Sequence, residues 1–155
     1  MKRFSRHAPV IVLIASLAVA FVLRYIIVMQ HLDMGPDMAN YLLTMQQVFG
    51  HDPTGMGLLR PPLIALPLKL FTLVFGTLTG AKILGVLASV VIGIPFYLLA
   101  KRICSPWIAV AVSIMFVFFP SYSNILSWGY LTLIAIFLLL FTLHFLLQVF
   151  DKPGK

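Results

Sequence analysis

Charge is scarce in this chain. Only 10% of its residues are Asp, Glu, Lys or Arg, against roughly 25% in soluble domains, and just four residues are acidic. That shortage excludes a soluble globular domain. Cys104 is the only cysteine, which excludes an intrachain disulfide and, with no Cys/His cluster, a zinc module. An acidic tail, a low-complexity tract and a long internal repeat are missing too. What is abundant is apolar surface: 61% of the residues are hydrophobic, in several runs close to the roughly 20 apolar residues that cross a bilayer. The expected fold is an all-α integral membrane protein, a single membrane module over residues 1–155. It should have about four transmembrane helices and an external loop carrying interfacial amphipathic helices. The net charge of +7 does not point to nucleic acid. The basic residues lie between hydrophobic runs, where they set orientation.

The first run, Val10 to Met29, follows Lys2, Arg3 and Arg6. Ala18-Val19-Ala20 has the shape of a signal-peptidase site, but the apolar run continues to Met29, so an uncleaved span over 10–29 is expected. Arg24 lies near its outer end, from where it can snorkel to the interface. Further spans are expected at 83–100, closed by Lys101-Arg102, at 103–119, with Pro106 in the first turn and Trp107 at the interface, and at 125–150. Ala81, Gly85, Ser89 and Gly93 recur every four residues, a row that lets a neighbouring helix approach closely. His144 falls inside the last span, expected to be packed or hydrogen-bonded between helices.

Residues 30–80 form the expected external loop and hold Asp33, Asp37 and Asp52. Asp37 to Phe49 reads as an amphipathic helix ended by Gly50. Met38, Tyr41, Leu42, Met45 and Phe49 lie on one side; Asp37, Asn40, Thr44 and Gln47 face water on the other. Pro61 to Phe75, interrupted by Pro67, is too short to span and reads as interfacial or re-entrant. With it not crossing, Lys2, Arg3, Arg6, Lys101, Arg102, Lys152 and Lys155 share one side. The positive-inside rule then puts both termini in the cytoplasm, with the plasma membrane of a prokaryote as the expected location.

The chemistry gathers in that loop. Asp37, at a helix start, can act as a general base or hold a metal ion; chemistry alone favours it as a helix cap, and the two roles are compatible. Arg60, beside Pro61-Pro62, can grip a phosphate with two parallel N–H donors or anchor to lipid headgroups. His51 and Asp52 are weaker accessories, since Asp52-Pro53 is an ordinary turn opening.

The order of elements resembles the N-terminal part of the GT-C superfamily of membrane glycosyltransferases. That group includes protein O-mannosyltransferases, the aminoarabinose transferase of lipid A and the catalytic subunit of oligosaccharyltransferase. The residues that carry the resemblance are a first span ending in Arg24, Gly35-Pro36-Asp37 opening a helix with Tyr41 and Gly50, Arg60-Pro61-Pro62 leading to Phe75-Gly76, and Tyr97-Leu98-Leu99-Ala100-Lys101-Arg102 closing a second span. The resemblance implies that Asp37 is the catalytic base or metal ligand and that the donor is a polyprenyl-phosphate-linked sugar. It allows a divalent cation, Mg or Mn, as cofactor. Where many members carry a second acid, Met38 follows Asp37 here, and Asn124 is the nearest polar group to the acid they place before a fourth span. Members are several times longer, so the resemblance also implies a companion membrane chain or further C-terminal spans, with membrane lipid and the donor as partners. The rival readings are a non-catalytic membrane subunit of the cell envelope and a transporter half.

Overall fold

The structure, a computed structural model, describes residues 2–30, 36–50, 64–119 and 130–150. Among these residues every regular element is a helix: α1 (Lys2–Gln30), α2 (Pro36–Phe49), α3 (Ala65–Phe75), α4 (Thr77–Val91), α5 (Gly93–Ile103), α6 (Pro106–Phe118) and α7 (Tyr130–Phe150). Among the described residues three stretches are long and apolar enough to cross a membrane: His7–Gln30, Thr77–Ile103 and Leu133–Phe150. The protein is an all-helical chain compatible with integral membrane insertion.

In α1 the buried residues among those described are Pro9, Leu13, Leu17, Ala20, Arg24 and Val28. They recur every three or four positions and so form one stripe, which packs on α4 and α6. The stretch Thr77–Ile103 is interrupted at Ile92, between α4 and α5. Pro95 accounts for the interruption: it has no N–H for the Val91 carbonyl, and its ring crowds that carbonyl. The ladder stretches there, with the Ile92 N–H 3.3 Å from the Ala88 oxygen and the Phe96 N–H 3.4 Å from the Ile92 oxygen. Ala81, Gly85, Ser89 and Gly93 are all buried. A methyl group on Gly93 would lie 2.8 Å from Val117 Cγ2 and 3.0 Å from Leu17 Cδ2. The small-residue row is therefore buried within the chain, at Gly93 beneath Leu17 of α1 and Val117 of α6.

The expected third span is shorter than 103–119. The helix there, α6, has 13 residues, about 20 Å of rise against a hydrocarbon core of roughly 30 Å. Its late start has a local cause. Ser105 is extended (φ −62°, ψ 153°) and caps the helix, because a residue before proline is steered away from helical angles. Pro67 likewise does not interrupt α3. It sits in the first turn of that 11-residue helix, where no N–H is required. Gly76 (φ +81°) turns α3 back onto α4. The hairpin is so close that a Cβ on Gly80 would collide with the Phe71 carbonyl.

Contacts fix the direction of each pass. Arg24 meets Ser89, while Leu13 and Leu17 share a cluster with Tyr97, so α1 runs antiparallel to α4–α5. Ile134 and Phe137 of α7 lie beside Leu84 and Val91, and the His144 carbonyl meets Arg102, so α7 runs parallel to α4–α5. Helix α6 runs back along α5, with its Val117 reaching Gly93 and the Arg24 guanidinium. The start of α1 and the end of α7 lie at one end of the bundle with Lys101-Arg102, here termed the basic end. Helices α2 and α3 gather at the other, the loop end.

Candidate functional site

The sequence placed the site on α2, and packing explains how that helix is held. Met38, Tyr41, Leu42 and Met45 are buried in one cluster with Val28 of α1, Leu68 of α3 and Ala81 and Leu84 of α4. The Thr72 hydroxyl adds a contact from α3, 3.5 Å from Met45 Sδ. The helix begins at Pro36, a residue preorganised for a first turn, so the backbone of Asp37 stands in that turn. The Asp37 side chain lies outside the described residues, as do His51, Asp52, Arg60 and Asn124.

The polar side of α2 does not face water as expected. Thr44 is fully buried, with its hydroxyl 2.9 Å from the Asn40 carbonyl, while Leu43, Val48 and Phe49 are exposed. The helix is wedged against the bundle by two faces and turns apolar residues outward. Lys82 is buried too, on α4 between Ala81 and Leu84, the α4 residues that share a cluster with Met38 and Tyr41. A buried cationic residue thus stands beside the α2 mount.

Arg24 shows the sharpest difference. It does not snorkel to the interface but is buried in the bundle. Its guanidinium donates to the Ser89 carbonyl at 3.1 Å and, more closely, to the Val117 carbonyl. Ser89 stands in the last turn of α4, ahead of the break, and Val117 in the last turn of α6. Helix C-terminal carbonyls lack intrahelical donors and carry the negative end of the dipole. One cation thus caps two helix ends, which lowers the cost of burying its charge. Arg24 lies on the Leu13–Val28 stripe, but α1 is apolar on every side, so no sequence pattern shows which stripe meets protein.

His144 is buried, as expected of a residue between helices. Its Nε2 lies 3.0 Å from the Gln148 amide nitrogen, and its Nδ1 has no hydrogen-bond partner among the described residues. Ser89 and Ser113 are buried, but each hydroxyl bonds to its own helix, to Val86 and Ala109 carbonyls at 2.7 Å. Among the described residues no three His, Cys, Asp or Glu side chains gather as a metal site; Asp37, His51 and Asp52 stand outside that set. Comparison with protein-family models, with curated proteins and with solved structures finds no match.

Proposed function

We propose that the chain is the N-terminal module of a GT-C-like glycosyltransferase, which moves a sugar from a polyprenyl-phosphate-linked donor at the external membrane face. Asp37 serves as base or metal ligand, with Mg or Mn as the cation, and Arg60 holds the donor phosphate. The observation that carries this reading is the mount of α2. Group transfer needs its base held in near-attack geometry, and α2 is clamped to α1, α3 and α4 directly behind its first turn. Four passes, with both termini cytoplasmic in a prokaryotic plasma membrane, complete the proposal. The antiparallel α1 and parallel α7 support it by bringing the start of α1 and the end of α7 to the basic end. A transporter half needs a polar route through the spans. The serine hydroxyls here are turned back on their own helices and Arg24 is engaged by two carbonyls, which favours the enzyme reading.

The test uses membranes of the native host in which the chain is deleted and restored, supplied with a polyprenyl-linked sugar. Asp37→Asn should keep assembly and lose transfer by at least about a hundredfold, since an amide cannot accept the proton. Full transfer by Asp37→Asn leaves Asp37 as a helix cap and the chain as a non-catalytic subunit. Arg60→Ala should also retain less donor lipid in detergent than Lys69→Ala, because a guanidinium grips phosphate through two parallel bonds.

A further inference from the structure

We infer that the basic end of the bundle, where α5 stops and α6 starts, is a binding site for the phosphate headgroup of an anionic membrane lipid. Two cations stand side by side in the last turn of α5. Lys101 is exposed, with its ammonium 5.8 Å from the centre of the Tyr97 ring, so its stem is steadied along α5. Arg102 is half-buried and donates to the His144 carbonyl at 3.2 Å. That bond fixes the guanidinium between α5 and α7 and leaves it preorganised. The helix ends that meet here carry Lys2, Arg3, Arg6, Lys101 and Arg102 in sequence, against Asp151 next to the end of α7, so the net charge of this end is positive.

The surroundings select the kind of anion. Ile103, beside the two cations, is 91% exposed, and Trp107 in the first turn of α6 is 54% exposed. The last turns of α7, which Arg102 joins to α5, expose Phe145, Leu146 and Val149. Fixed positive charge on helix ends that bear exposed apolar side chains suits a molecule with a phosphate at one end and hydrocarbon at the other. A soluble anion would leave these side chains unused. Trp107 also fits the headgroup level, where an indole's apolar body and polar N–H are both accommodated.

The position of Trp107 makes the site measurable. With Trp128→Phe as background, Trp107 is the one remaining tryptophan. The chain is reconstituted in phosphatidylcholine vesicles containing a minor fraction of brominated phosphatidylglycerol or, separately, of brominated phosphatidylcholine. Quenching of Trp107 is expected to be stronger with the anionic lipid, and Lys101→Gln should weaken that preference about fivefold, the equivalent of one cation near an anionic surface. Lys101 is exposed, so this change leaves the α5–α7 contact in place. Lys101→Gln with Arg102→Gln should abolish the preference. Native mass spectrometry of the unsubstituted chain gives a second readout, with phosphatidylglycerol retained over phosphatidylcholine. Equal quenching by the two lipids, or a preference unchanged in the Lys101→Gln chain, would overturn the site.

Discussion

The seam of α1 with α4 and α6 differs from the seam of α7 with α4 and α5. In the first, Gly93 lets Leu17 and Val117 come within about one atom's width of its backbone, and Arg24 joins two helix ends. In the second, a groove of about 180 Å³ stays open between Leu84, Leu87, Ala88, Val91, Ile134 and Phe137. The polar residue of that seam, His144, has one ring nitrogen without a partner among the described residues. Both seams join apolar helices, so apolarity does not separate them. Side-chain size at the crossing and completeness of hydrogen bonding do. The α1 seam should define the bundle, and the α7 seam should yield first.

The largest effect that would sharpen this contrast is expected at Arg24. Arg24→Met keeps the length and apolar stem but leaves two buried carbonyls without their donor. Each unsatisfied group costs roughly 1–3 kcal/mol, and the capped dipoles lose their cation. The expected loss is about 3 kcal/mol, read from reversible unfolding in mixed detergent micelles. A change below about 0.5 kcal/mol, the usual scale of a surface substitution, would mean that the guanidinium staple does not hold the seam.

Gly93→Ala comes next. Alanine favours a helix by about 1 kcal/mol over glycine, so on propensity alone the change should help. The added methyl would stand 2.8 Å from Val117 Cγ2, and overpacking of this kind costs roughly 1–3 kcal/mol. A net loss of about 1 kcal/mol is expected, with much of it recovered by Val117→Ala in the same chain, since residues in contact couple. Additive losses in the double variant would show that the two sites do not touch.

The three long apolar stretches and their order were legible because runs of apolar residues reflect the membrane directly. The start of α2 at Pro36, one residue ahead of the expected Asp37, was legible from Gly35-Pro36 for the same local reason that Ser105-Pro106 starts α6. The row from Ala81 to Gly93 announced a close crossing. It could not say which helix fills it, because α1, α6 and α7 are all apolar and a row of small residues accepts any of them. Arg24 was misplaced for a related cause. Six residues from the end of α1, a long side chain can reach either water or a neighbour's carbonyls, and the choice rests on where α4 breaks and α6 stops. Thr44 was expected to face water because the tertiary wedge that buries α2 against the bundle leaves no local signature. Of the candidate site, only the backbone of Asp37 lies among the described residues.

The smallest expected effect tests the looser seam. The Gln148 amide nitrogen lies 3.0 Å from His144 Nε2. If the amide donates there, Nε2 is the acceptor and the ring proton sits on Nδ1. That buried N–H then meets no acceptor among the described residues. Phenylalanine fills much the same ring volume and removes the orphaned donor, and Gln148, which is exposed, can turn outward without being stranded. The His144 carbonyl still receives Arg102, since that bond uses backbone only. His144→Phe should therefore be neutral or stabilising by up to about 1 kcal/mol, because replacing an unsatisfied polar group by an apolar one of the same shape recovers its desolvation cost. Unfolding in the same micelles measures it against Arg24→Met. A loss above about 1 kcal/mol would give the imidazole a partner that holds α7 in place, and the two seams would then be alike in polar satisfaction and different only in packing.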